Sequence, residues 1–205
     1  MPVLYTIGYA PLTLESLAGY LLRYGVTALA DVRSVPRTSF KPEFNGDQLQ
    51  LFLRQQGIAY VYLGDSLGAR YTDVAVLEHG IAVYERIAET DLFRKGLKRL
   101  DEGVRHFTVC LLCAEKDPLD CHRAVLVSRQ AMKTISGLAI HHILADGSLE
   151  SHAELEARMC RRYGLDQLLL PLGGGGADAT QAEAYRRHGR EIAFRMHTDA
   201  GAGYG

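Results

Sequence analysis

No apolar run in this 205-residue chain approaches the roughly 20 residues that a membrane-spanning helix needs, so no membrane partner is expected. Charge of one sign is missing too: 23 Lys and Arg against 24 Asp and Glu leave a formal net charge of −1. That balance gives no broad field to draw in a nucleic acid or an anionic surface, so any anion site has to be local. Internal repeats, heptads and long blocks of like charge are absent, which argues against solenoids, coiled coils and charged tails. The opening Met1-Pro2-Val3-Leu4-Tyr5 lacks the charged region and long apolar stretch of a signal peptide. Cysteine is scarce and unevenly spaced, at 110, 113, 121 and 160, which suits reduced thiols better than a disulfide framework in a chain of this size. Together these features predict a cytoplasmic protein with one sizeable core.

What is present alternates between two periods. Apolar runs over 3–7, 26–32, 58–63, 107–113 and 138–144 read as strands. Between them, Leu14, Leu17, Leu21 and Leu22 recur at helical spacing behind a capping Thr13, and Leu49, Phe52 and Leu53 share a helix face over 47–56. Residues 74–102 read as one or two helices broken near Thr90-Asp91, and 121–133 as another. Strands separated by helical crossovers predict an α/β three-layer sandwich, a mostly parallel central sheet of about five strands with helices on both faces. Residues 1–170 form the single α/β domain, whose last helix opens at the capping box Ser151-His152-Ala153-Glu154. A glycine-rich linker over 171–179 follows, then a C-terminal helix and disordered tail over 180–205, with Thr180 and Glu183 as a second capping box.

In a parallel sheet the carboxyl ends of the strands share one rim, which is where ligands bind in open α/β folds. Gly8-Tyr9, Asp31-Val32-Arg33, Gly64-Asp65 with Leu67-Gly68, and Cys113-Ala114-Glu115 fall on that rim. Asp31 and Arg33 are two apart and face the same way on a strand. Arg33 suits bidentate capture of a phosphate or carboxylate. Asp31 suits a base, a metal ligand or the partner of an arginine, and a purely structural Asp–Arg pair is the plainer alternative. The loop over 34–45 carries Arg37 and Lys41 and is long for a segment with no clear element. Its plain reading is a surface loop pinned by Phe40 and Phe44. Tyr9 suits substrate stacking or proton handling, with rim packing equally open.

The stretch from Val109 to Arg123 gathers a thiol, a carboxylate, an imidazole and a guanidinium where a strand gives way to a helix. Cys110 and Cys113 spell a C-x-x-C, but three residues apart on a strand they point to opposite faces and cannot chelate or pair. Cys121 sits near a helix start, where free amides and the dipole favour a thiolate, beside His122 and Arg123. Asp120 reads as the N-cap. Cys113, Cys121 and His122, with Glu115, are tolerable zinc or iron ligands, but the spacing matches no standard finger and adjacent Cys121 and His122 are expected to diverge on a helix. No metal ligand set is therefore assigned.

These residues resemble a known family, domain of unknown function 488. The resemblance rests on Thr6-Ile7-Gly8-Tyr9, Asp31-Val32-Arg33 with Pro36, Pro42-Glu43-Phe44-Asn45 and Leu67-Gly68. It continues through Cys113-Ala114-Glu115, Pro118, Cys121-His122-Arg123 and Ile143-Leu144-Ala145-Asp146-Gly147, spanning residues 4 to 160. Thr38-Ser39 departs from it where the family often carries a Ser-Arg pair. The resemblance implies an α/β fold and a rim site; it names neither reaction nor cofactor. Two functional readings stand. In the first, an enzyme binds an anionic small molecule or nucleic acid through Tyr9, Arg33, Arg37, His122 and Arg123 and acts with Asp31, Glu115 and Cys121. In the second, Cys113, Cys121 and His122 form a non-catalytic metal-binding or redox-sensing module.

Overall fold

Leu111 and Leu112 are neighbours in the chain and belong to different hydrophobic cores. They lie on the fully buried strand β6 (Val109–Cys113), whose successive side chains point to opposite faces of a sheet. The computed structural model describes residues 1–166 and 176–196. Around β6 it arranges β1 (Val3–Gly8), β2 (Ala28–Asp31), β3 (Ala59–Tyr62), β7 (Ala139–Ile143) and β8 (Leu149–Ser151) in one six-stranded sheet, in the order β3-β2-β6-β1-β7-β8. All neighbouring pairs are parallel except β7 with β8. The expected α/β architecture is therefore present, with a sixth, antiparallel edge strand that the sequence pattern did not reveal. Leu149-Glu150-Ser151 is too short to show an alternation of its own.

Helices α1 (Leu14–Arg23) and α2 (Gly46–Gln55) cover one face through Leu17, Leu21, Leu49 and Leu53. On the other face lie α4 (Tyr84–Glu89), α5 (Asp91–His106), α6 (Arg129–Thr134), α7 (His152–Arg162) and α8 (Gly176–Ile192), which contribute to the second core. A short α3 (Gly64–Leu67) follows β3. Thr13 and Ser151 cap α1 and α7 as expected, Ser151 with the predicted capping box and Thr13 with one closed by Ser16. The break near Thr90 is also real, because Thr90 caps α5 by accepting from Phe93 N.

Three expectations need correction. Residues 74–82 are not helical: a 3₁₀ turn leads into a hairpin of β4 (Leu77–Glu78) and β5 (Ile81–Ala82). Its two-residue turn puts His79 at φ 51° and Gly80 at φ 76°, the left-handed pair that a tight hairpin demands. Thr180 does not cap a helix, since α8 already begins at Gly176 and carries Thr180 inside it. The rest of the expected linker, 171–175, and the tail beyond 196 lie outside the described residues. Third, the segment before α6 is a π-helix, Arg123–Ser128, in which the Ser128 hydroxyl donates to the Arg123 carbonyl at 2.8 Å. Such wide turns cluster at functional sites.

A single-file hydrogen-bond chain ties α8 to the sheet. The Thr6 hydroxyl meets His142 Nδ1 at 2.8 Å, His142 Nε2 meets His152 Nδ1 at 3.0 Å, and His152 Nε2 meets Tyr185 Oη at 2.8 Å. Tyr185 then donates to Glu156 Oε1 at 2.8 Å. Because the tyrosine proton is committed to the carboxylate, each histidine has to donate from Nε2 and accept at Nδ1. Both are therefore neutral, in keeping with the burial that pushes both pKa values down, that of His152 to about 4. His188 is likewise buried, its Nε2 donating to the Leu119 carbonyl at 2.7 Å. His152 and His188 are interior residues, in contact with Tyr185 and Leu119.

Candidate functional site

The connection after β2 leads outward to β3, while the one after β6 leads the other way to β7. The carboxyl ends of these adjacent strands therefore form a topological switch point, where a crevice opens in α/β sheets. A cavity of about 480 Å³ lies there, and Tyr9, Arg33, Arg37, Cys113, Glu115 and His122 are on its wall. Of the residues singled out in the sequence, Asp31, Cys121 and Arg123 are not on that wall. Asp31 and Arg123 are fully buried and Cys121 almost so.

Asp31 orients Arg33. Arg33 Nε donates to Asp31 Oδ1 at 2.9 Å and Nη2 to Oδ2 at 2.5 Å, while the Arg33 backbone N–H and Tyr60 Oη also donate to this carboxylate. Nη2 reaches the Phe44 carbonyl as well, at 2.9 Å. Burial works against the Arg33 charge, but the Asp31 carboxylate outweighs it and raises the guanidinium pKa. The remaining nitrogen, Nη1, is buried without a hydrogen-bond partner. The guanidinium lies over the Tyr9 ring, 5.0 Å from its centre, and Tyr9 stacks on Phe44.

Lys41 turns away from the cavity, its Nζ donating to the Leu12 carbonyl at 2.5 Å. Arg70 stands on the wall instead, in a loop that packs tightly enough for its backbone N–H to bond Ser34 Oγ at 3.0 Å. Its position just beyond Leu67-Gly68 was the only sequence signal for it. Phe44 is fully buried, but Phe40 is 95% exposed at the cavity wall, so only one of the two phenylalanines pins the loop. Ile192, the last residue of α8, and Phe194 just beyond it also reach this wall. No motif foretold them, since their place depends on where α8 docks.

The opposite wall is built by the loop after β6. Tyr9 N and Ala10 N continue the ladder onto the Cys113 and Ala114 carbonyls, and Arg123 Nη1 donates to the Glu115 carbonyl at 2.9 Å. Arg158 clamps the loop from outside through paired bonds to Asp117 and Glu150. Asp117, rather than Asp120, accepts from the turn, taking the Leu119 N–H at 2.8 Å. Within this frame Cys113 Sγ lies 3.7 Å and Cys121 Sγ 3.9 Å from His122 Nδ1, and the three ligand atoms fall within 4.8 Å of one another. The expected divergence of Cys121 and His122 does not occur, because Cys121 precedes the first helical turn. Cys110 points into the other core, as its register requires.

A family model described as Domain of unknown function DUF488 matches residues 13–130, more than half of the chain. The chain belongs to the DUF488 family. No curated protein and no solved structure matches it. The DUF488 span contains Arg33, Arg37, Arg70, Cys113, Glu115 and His122 of the cavity wall, while Tyr9, Ile192 and Phe194 lie outside it.

The thiols in this DUF488 chain have opposite tendencies. Burial opposes ionisation of Cys121, yet hydrogen bonding from Cys113 and the charges of Arg123 and His122 hold its pKa well below the usual thiol range. Hydrogen bonding to Cys121, then burial, pushes Cys113 the other way. Glu115 Oε2 accepts from Cys113 at 3.0 Å and lies 2.9 Å from Cys121 Sγ. Burial and the Cys121 charge raise the Glu115 pKa. For His122, burial is outweighed by Cys121 and the pKa rises. The result is two cysteine sulfurs, a carboxyl group and an imidazole grouped across a cavity from a fixed guanidinium.

Proposed function

We propose that the carboxyl-edge cavity is the active site of an enzyme acting on a small phosphate-bearing substrate of nucleotide size. The observation that carries this reading is Arg33: a residue of the cavity wall, 5% exposed and fixed by Asp31, whose Nη1 is buried without a hydrogen-bond partner. A buried donor without a partner is costly, and a phosphate oxygen is the acceptor that matches a guanidinium best. Arg37, 71% exposed with only a 3.7 Å surface pair to Asp47, and Arg70 supply further charge at the mouth. A volume of about 480 Å³ suits a mononucleotide, and a net charge of −1 offers no track for a polymer.

In this reading Arg33 binds the phosphate and Asp31 positions Arg33. Glu115 faces the bound molecule from the other wall and moves the proton that the reaction needs, while His122, with Nε2 on the Val32 carbonyl and Nδ1 on the sulfurs, holds that wall in place. Cys121, behind the wall, acts through His122 and Glu115 rather than on the substrate. Arg123 shapes the loop through the Glu115 carbonyl. The grouping of Cys113, Cys121 and His122 also favours a second reading, a metal-binding module without turnover.

The test is to incubate the full chain, supplied with zinc under reducing conditions, with AMP, ADP, ATP and pyrophosphate, measuring thermal stabilisation and phosphate release. Stabilisation by one of these, lost in Arg37→Ala/Arg70→Ala while the unliganded melting curve stays in place, supports the proposal. Saturating ligand at about 100 times its Kd adds about 2.7 kcal/mol, which is readily seen. Binding without turnover favours the second reading, and no binding of any of the four removes the phosphate assignment.

A further inference from the structure

We propose that Cys113, Cys121 and His122 hold one zinc ion at the floor of the cavity, with one coordination position left open towards it. The argument is geometric and independent of what substrate the cavity takes. Tetrahedral zinc with Zn–S of about 2.3 Å and Zn–N of about 2.0–2.1 Å places neighbouring ligand atoms about 3.5–3.8 Å apart. The sulfur-to-nitrogen separations here are 3.7 and 3.9 Å.

The imidazole is set up for coordination. His122 Nε2 lies 3.0 Å from the Val32 carbonyl, which can only accept, so Nε2 carries the proton and Nδ1 presents its lone pair to the sulfurs. That outer bond is the device by which ligating histidines are oriented. The Arg123 backbone N–H points at Cys121 Sγ at 3.4 Å, supporting a thiolate. Two thiolates and a histidine match the three-ligand sets of catalytic zinc, which leave a place for water or substrate, whereas structural sites close with a fourth protein ligand. Cys113 and His122 are on the cavity wall, so the open side faces the space that Arg33 also faces. Binding releases the thiol proton of Cys113, and the ion takes its place beside Glu115.

The experiment is metal analysis of the full chain after reduction, zinc addition and gel filtration without chelator, paralleled by cobalt substitution. One equivalent of zinc per chain is expected, together with a thiolate-to-cobalt charge-transfer band in the near ultraviolet. Cys113→Ser and Cys121→Ser should each lose the ion or bind it at least tenfold more weakly, with the band reduced. Cys160→Ala, which removes an α7 thiol that is not part of the cluster, should keep both. If a ligand variant fails to fold, the cobalt band of the wild type and its abolition by stoichiometric alkylation of Cys113 decide the question. A reduced, folded wild type that retains no stoichiometric zinc and gives no cobalt–thiolate band overturns the proposal. So does a Cys113–Cys121 disulfide that forms in preference to the zinc complex under reducing conditions.

Discussion

Gly8 sits so close to the backbone of Glu115 that a Cβ there would lie 1.7 Å from the Glu115 carbonyl oxygen. The same oxygen accepts from Arg123 Nη1, whose other terminal nitrogen would be 3.1 Å from that Cβ. One glycine thus lets the end of β1, the loop after β6 and the start of the π-helix meet at a point. Without that approach Glu115 could not stand beside both sulfurs.

Gly8→Ala should therefore destabilise the chain by about 1–3 kcal/mol through overpacking. Gly19→Ala in α1, where an added Cβ meets nothing within 4 Å, should instead stabilise by up to about 1 kcal/mol through helix propensity. Urea unfolding of the two variants checks the contrast. Equal effects would mean that the Gly8 contact relaxes without cost.

Asp31 and Arg33 make a double-mutant test. Asp31→Ala leaves a buried guanidinium without its carboxylate and should cost about 3–5 kcal/mol. In Asp31→Ala/Arg33→Met neither charge remains, and stability should recover most of that loss, because the pair as a whole is worth little against apolar packing. Nucleotide-dependent stabilisation should be absent from the recovered double variant. A double variant as unstable as the single one would show that the Arg33 bond to the Phe44 carbonyl, not the ion pair, holds this loop.

The sequence made the sheet legible because buried parallel strands are nearly continuous apolar runs, and the runs ending at Gly8, Asp31 and Cys113 are of that kind. It made the rim legible because charged residues interrupt those runs only at their carboxyl ends. The hairpin at His79-Gly80 escaped notice because two-residue strands have no periodicity to read. The convergence of Cys121 on His122 was hidden for another reason: ideal helical spacing separates adjacent residues, and the chain departs from it just where the π-helix begins. Arg70, Ile192 and Phe194 reach the cavity only through tertiary packing, which no local pattern encodes.

Tyr185→Phe should loosen the C-terminal helix. It removes the hydroxyl that accepts from His152 Nε2 and donates to Glu156, leaving the buried His152 Nε2 without its acceptor at a cost of about 1–3 kcal/mol. The Arg129 guanidinium, 4.0 Å from the ring centre, keeps its contact. Hydrogen exchange should quicken in α8 before it does in β1 or β6. Uniform acceleration would instead make α8 part of the global unfolding unit.

The same chain predicts how stability depends on pH. His152 faces His142, Tyr185, Glu156 and Arg129, and burial followed by the Arg129 charge lowers its pKa from 6.5 to about 4 in the folded state. Glu156 Oε1 is 3.7 Å from Nε2 and would favour the charged form, but Tyr185 occupies that nitrogen and burial dominates. Between pH 6.5 and about 4 the unfolded chain takes up a proton that the folded chain refuses. Stability is therefore full above that window, falls as the pH drops through it and levels off below, by up to about 3 kcal/mol. His142, also lowered, acts in the same direction. Glu156, raised by burial, acts in the opposite one and offsets part of the loss. Urea midpoints measured across the window should slope downwards towards acid in the wild type and distinctly less in His152→Gln. The slope, not the absolute stability, is the readout, since the substitution also costs hydrogen bonds. An unchanged slope would assign the acid sensitivity to His142 or to carboxylates elsewhere.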